Sequence, residues 1–149
     1  MTDYLETTID KFIFRVATDR LYTAEGVWAK AEESQVLIGL SDFVQQHNGD
    51  IAFAEIKPPG TVLKTGDEVA AIETIKVNIA LGSPVTGRIS KINPEIELSP
   101  ELINQDPYES GWLAVIEASS WVMDKVLLLE PAAYLTRIRI EAEEETRRL

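Results

Sequence analysis

Lys76 carries the most usable chemistry in this sequence. It lies in Glu73-Thr74-Ile75-Lys76-Val77, between the apolar runs 69–72 and 77–81, with Thr65-Gly66-Asp67 before them and Gly82-Ser83-Pro84 after. Two short strands joined this tightly form a hairpin whose bend projects from the body. A lysine amine at such a bend is open to an acylating enzyme, which is the geometry that a covalently attached swinging cofactor requires. Hairpin tips also carry lysine simply because they are wet, and short motifs match by chance. The remaining candidates are weaker. His47 is the single histidine and lies in the polar stretch Gln45-Gln46-His47-Asn48. It reads as a solvated surface residue rather than a base or metal ligand. There is no Cys/His cluster for zinc, no Gly-rich phosphate loop and no nucleophile elbow. The carboxylates are scattered, and Glu143-Glu144-Glu145 reads as a solvated run. The chain is poorly equipped to be an enzyme in its own right.

The elements that must position Lys76 are mostly strands. Runs 12–16, 27–31, 35–39, 51–56, 88–92 and 112–117 read as strands separated by turn residues such as Glu32-Glu33-Ser34 and Pro58-Pro59-Gly60. Ser41 suits an N-cap for a helix over 42–48, with Gly49 as its stop. Ser99-Pro100-Glu101 opens a second short helix. Gly66, Gly82 and Gly87 read as backbone turns. Trp28, Trp112 and Trp121 read as packing residues. From Glu130-Pro131 a C-terminal helix, about 131–149, places Tyr134, Leu135 and Ile138 on one face toward the sheets. Its charged end, 141–149, is expected to extend into solvent or fray. The stretches 66–73 and 110–117 echo each other faintly.

Composition narrows the class. At 149 residues the chain reads as one domain, 1–149, with an N-terminal strand extension of about 1–20. It has no cysteine, so any dithiol chemistry must come from an added group. The start, Met1-Thr2-Asp3-Tyr4, is not a secretory signal, and no run is long enough to span a membrane. A soluble, cytoplasmic protein is expected. The net charge of −11 argues against nucleic-acid partners and suits brief docking on basic patches.

Further motifs surround the hairpin. They are Ile38-Gly39-Leu40-Ser41-Asp42-Phe43 and Gly49-Asp50-Ile51-Ala52-Phe53 before it, then Ser83-Pro84-Val85-Thr86-Gly87, Asn104-Gln105-Asp106-Pro107-Tyr108 and Gly111-Trp112-Leu113. In this order and spacing the series resembles the glycine cleavage H protein, a lipoyl-lysine carrier, from about Tyr22 to Tyr134. The resemblance implies a mainly β fold, the lipoyl/biotinyl-type barrel-sandwich of antiparallel strands with short peripheral helices and a C-terminal helix. It implies lipoate attached to Lys76, with Glu73 helping a lipoate-attaching enzyme recognise the hairpin. Biotin carriers place methionine beside the lysine, whereas here the neighbours are Ile75 and Val77. A lysine bearing lipoate is a tether of roughly a dozen bonds, reaching on the order of 10–15 Å. It keeps its load at high effective concentration near partner active sites.

The match departs at the cleft where the family's loaded arm rests. The family's His-Glu-Trp segment falls on Gly26-Val27-Trp28, and a family aspartate falls on Ala80. Val27, Trp28, Ile79 and Ala80 are therefore the cleft candidates, and they imply an apolar cleft for a neutral load, since an unpartnered charge there is costly. These departures, with the segment Phe12-Ile13-Phe14-Arg15-Val16, resemble the lipoate-binding proteins of sulfur oxidation. The first expectation is thus a carrier serving a heterodisulfide-reductase-like sulfur-oxidising complex. The second is the glycine cleavage system, carrying aminomethyl groups among its P, T and L proteins. The third is an interaction domain without lipoate.

Overall fold

The computed structural model describes residues 2–148. Eleven strands alternate with four α-helices among these residues. A six-stranded sheet runs in the order β3 (Leu21–Tyr22), β4 (Val27–Glu32), β5 (Gln35–Leu40), β11 (Ala114–Ala118), β10 (Gly87–Ile92) and β7 (Val62–Leu63). A three-stranded sheet runs β6 (Ile51–Ile56), β8 (Glu68–Thr74) and β9 (Asn78–Gly82). Every pairing is antiparallel. The two sheets close over one aliphatic core that includes Ile38, Leu40, Val69, Ile72, Ile89 and Ile116. This is the expected barrel-sandwich.

The echoed stretches occupy equivalent places. β8 is the middle strand of its sheet, and β11 lies between β5 and β10 in the other. Val69, Ala70 and Ile72 are buried like Leu113, Ala114 and Ile116, while Glu73 and Glu117 both face solvent. Consecutive buried residues in both stretches reflect strands covered on both faces. Of the three glycines expected at turns, Gly66 has a left-handed φ of 89°. Gly87 lies within β10, where an added Cβ would collide with the Glu117 carbonyl of β11. Close approach of two strands, rather than a turn, fixes that position.

The N-terminus departs from expectation by forming two strands, not one. β1 (Tyr4–Ile9) pairs with β2 (Phe12–Ala17), with Ile9 opposite Phe12 across Asp10-Lys11. Asp10 takes the positive φ, 58°, a conformation its short polar side chain tolerates. This hairpin belongs to neither large sheet. Side chains attach it instead. Phe14, Val16 and Ala17 join Tyr22, Trp28, Phe43, Tyr108, Tyr134, Ile138 and Ala142 in a second, aromatic core. Arg20 closes the junction, with its guanidinium 4.5 Å from the Trp28 ring centroid and its Nη1 donating to the Tyr108 carbonyl at 2.8 Å. Among the described residues its Nη2 is the one buried side-chain N or O without a hydrogen bond.

The helices make up the rest of this layer. α1 (Asp42–Asn48) starts where the Ser41 hydroxyl accepts from Val44 N and stops at Gly49, φ 80°. Two short helices follow, α2 (Leu102–Gln105) and α3 (Trp121–Asp124). α4 (Pro131–Arg148) stacks Tyr134 on Tyr22 at 4.4 Å between ring centroids and bonds its hydroxyl to Ser41 Oγ at 2.6 Å. Of the two expected outcomes for the charged end, it extends into solvent rather than frays, and it does so as helix. The helix continues through it because Ala142 extends the Tyr134–Ile138 stripe by one more turn and is buried. Burying each large aromatic of this layer is worth about 1.5–3 kcal/mol.

Candidate functional site

The β8–β9 hairpin is anchored at its base and bare at its tip. Ile72 and Leu81 root it in the core, whereas Ile75 is 93% exposed. Register pairs Glu73 with Asn78, Ile72 with Ile79 and Ala71 with Ala80, leaving Ile75, Lys76 and Val77 to make the bend. Thr74 holds that bend. Its backbone N donates to the Val77 carbonyl at 2.9 Å, and its Oγ1 accepts from Lys76 N at 3.2 Å and Val77 N at 3.1 Å. The tip is therefore shaped by one side chain rather than by packing. The Lys76 amine has no ion pair or hydrogen bond among the described residues. An exposed, unpaired amine on a fixed bend suits enzymatic acylation, so Lys76 fits a covalently attached lipoate. Glu73 is exposed three residues away, available to an approaching enzyme.

Lys76 is not as isolated as the sequence implies. It borders a groove of about 330 Å³ whose other walls are Ile9, Asp10, Phe12 and Phe14 of the N-terminal hairpin, Phe43, Gln46 and His47 of α1, and Ala142, Glu145 and Thr146 of α4. Beside it lies a cleft of about 340 Å³ bounded by Val27, Ile79, Ala80, Tyr134 and Ile138. Phe43 and His47 border both.

The cleft holds three of the four expected residues. Val27, Ile79 and Ala80 line it, and Trp28 does not. Strand alternation turns Trp28 to the other face, where its Nε1 donates to the carbonyls of Leu40 at 3.0 Å and Pro107 at 3.1 Å. Gly39, opposite Trp28 in the ladder, leaves room for the indole. The expectation of an apolar cleft also needs correction. Glu25 and Glu141 line it, against the single Arg137, whose Nε lies 3.5 Å from Glu141 and donates to the Ala24 carbonyl. Two carboxylates thus line the same cleft as Val27 and Ala80. Helical spacing carries the signal for Glu141, seven residues beyond Tyr134 on the inward stripe.

Gly26 explains another departure. Its φ is 95°, and a Cβ there would collide with Val44 Cγ2 and lie 2.8 Å from the Tyr134 hydroxyl and 3.2 Å from Ser41 Oγ. α1 and the C-terminal helix together fill the space that a larger residue at 26 would need. His47 is exposed, as expected, yet it stacks on Phe43 at 5.4 Å and its Nδ1 lies 3.0 Å from Glu145 Oε2. The continued α4 helix brings Glu145 to it. Burial pushes the Tyr108 phenol up to about 12 and raises those of Tyr22 and Tyr134 further, so all three remain neutral donors across ordinary pH. No group of three or more His, Cys, Asp or Glu among the described residues is placed to hold a metal ion. Nor is any helix among them long and apolar enough to cross a membrane.

Comparison with known proteins places this geometry. Residues 20–141 match the family model described as glycine cleavage H-protein. A glycine cleavage system H protein from Listeria monocytogenes serotype 4b is 40% identical over 110 residues, covering 74% of this chain and 88% of its own. One from Oceanobacillus iheyensis is 42% identical over 101 residues, covering 68% and 80%. One from Anaeromyxobacter is 35% identical over 119 residues, covering 80% and 92%. The crystal structure of a glycine cleavage system H protein from Mycobacterium marinum is similar with a TM-score of 0.75 and 25% identity, covering 80% of this chain and 96% of that one.

Proposed function

We propose that this chain, which belongs to the glycine cleavage H-protein family, carries the family's covalent lipoate on Lys76 and serves glycine decarboxylation. The observation that carries the proposal is the unpaired Lys76 amine on a bend held by Thr74, inside the matched region. The relatives favour glycine cleavage over the first expectation, sulfur oxidation.

Once attached, the lipoyl group supplies a dithiolane that takes up a reaction intermediate and releases it to another enzyme. The protein supplies everything else. Thr74 fixes the direction in which Lys76 leaves the sheet, so the tether starts from a defined point. Glu73 presents a carboxylate beside that point for the lipoate-attaching enzyme. The cleft offers Glu25 and Glu141 to a basic load and the apolar surfaces of Val27 and Ile79 to the tether's methylenes. Partial exclusion of water strengthens each charge interaction there. The chain itself acts as a carrier, and the chemistry is left to the P, T and L proteins. With a net charge of −11, electrostatic steering toward basic docking patches speeds encounter more than it tightens the complex.

A second reading, service to a sulfur-oxidising heterodisulfide-reductase-like complex, is favoured by Val27 and Ala80, which remove two acids from the cleft. One reconstitution separates the two. Lipoylated protein mixed with active glycine cleavage P, T and L proteins should release CO2 from glycine, and the Lys76→Ala variant should not. No release by the lipoylated protein would reject the glycine cleavage reading and leave the second ahead.

A further inference from the structure

We propose that the groove beside Lys76 is a resting seat for the neutral lipoyl arm, walled by the N-terminal hairpin. This rests on Lys76 being the lipoylated residue. The wall is additional to the matched family region, which begins at residue 20, while β1 and β2 occupy 4–17.

Phe12 carries the argument. Strand alternation puts it on the same face of β2 as buried Phe14 and Val16, yet it remains 49% exposed. The inward face of the hairpin ends at the groove, and Phe12 presents its ring there. A ladder of rings continues from it. Phe12 stacks on Phe14 at 6.3 Å, Phe14 meets Phe43 edge-on at 5.1 Å, and Phe43 stacks on His47 at 5.4 Å. Ile9 and Ala142 extend this apolar wall, and Asp10, Gln46, Glu145 and Thr146 line the rest of the groove.

Such a wall suits a dithiolane on a methylene chain. Sulfur packs favourably against aromatic edges, and methylenes gain by leaving water. At about 330 Å³ the groove falls within the roughly 300–1,000 Å³ typical of small-ligand sites. Lys76 is itself one of its walls, so the arm folds back without crossing the surface. Tethering makes the association intramolecular, and weak contacts then suffice. Both hollows carry two carboxylates, Asp10 and Glu145 here and Glu25 and Glu141 in the neighbouring cleft, but Phe12 and Phe14 line only this one. The pair of rings, not the absence of charge, marks this groove as the seat of the uncharged arm.

The test compares amide NMR spectra of 15N-labelled protein with and without lipoate on Lys76, after intact mass has verified the modification. Seating predicts shifts at residues 9–14 and at Ala142. Shifts confined to residues 74–77, or to Val27, Ile79 and Ala80, would overturn the seat while leaving the carrier reading intact. Failure of Lys76 to accept lipoate would overturn both. A second measurement reads protection directly, as the rate at which iodoacetamide alkylates the reduced arm. Phe12→Ala should raise that rate on the order of three- to tenfold, as loss of one aromatic contact from a weakly held ligand does. Equal rates in folded wild type and variant would contradict the proposal. Phe12 is half-exposed, so this variant keeps its fold.

Discussion

Two hairpins meet at Lys76, and they are built on opposite plans. The β8–β9 hairpin is embedded at its base as part of a sheet, with Val69, Ala70 and Ile72 in the core, and it ends in an exposed bend. The β1–β2 hairpin has no sheet beyond itself and is held along one whole face by aromatic side chains. One is strong where it is rooted and open where it acts. The other gains stability from the contact surface that also walls the groove. Chemistry and stability are therefore separable at the first hairpin and joined at the second.

Substitutions can break or sharpen this contrast. Lys76→Arg should abolish lipoylation by any lipoate-attaching enzyme, read by intact mass, while the urea midpoint stays put because exposed positions contribute within about 0.5 kcal/mol. A large loss of stability would show that the tip is structural after all. On the other hairpin, Phe14→Ala should cost about 3–5 kcal/mol in urea unfolding, the usual penalty for a buried aromatic. Lipoylation of the folded fraction should continue. If Phe14→Ala were neutral, the N-terminal hairpin would not belong to the core.

The aromatic layer also predicts an alkaline limit. A phenol whose pKa is higher in the fold than in the unfolded chain stabilises fully below the unfolded value and loses that contribution as pH rises through the folded one. For Tyr108 the window runs from pH 10 to about 12, and Tyr22 and Tyr134 move in the same direction. Stability measured by urea unfolding should hold to pH 10 and fall above it, and Tyr108→Phe should flatten the fall. The smallest effect belongs to the bend. Thr74→Val removes an oxygen that accepts from two backbone N–H groups and should cost about 1 kcal/mol. Lipoylation should slow, with the fold intact. An unchanged attachment rate would mean that the attaching enzyme does not need a pre-shaped tip.

The same contrast explains how much of the molecule could be read from the sequence. The Lys76 hairpin was legible because two apolar runs flank a short polar bend, and α1 because Ser41 and Gly49 mark its ends. β1 escaped notice because Tyr4-Leu5-Glu6-Thr7-Thr8-Ile9 turns only Leu5, Thr7 and Ile9 inward, and these are half-buried against α4 rather than sunk in a sheet core. The last turns of α4 were obscured by charge, although Tyr134, Ile138 and Ala142 repeat every four residues. With the end 141–149 read as extending into solvent or fraying, the cleft role of Glu141 and the His47–Glu145 contact stay hidden. Trp28 is a packing residue, as read, and it misses the cleft for a simpler reason. Its neighbour Val27 faces the cleft, and adjacent residues on a strand face opposite ways.

The most direct test of the account is peptide-resolved mass spectrometry of the protein made in cells that lipoylate other proteins. A single lipoyl increment on the peptide containing Lys76, and on no other lysine, is the predicted result. An unmodified chain, or an increment on a different lysine, would contradict the claim that this bend exists to carry lipoate.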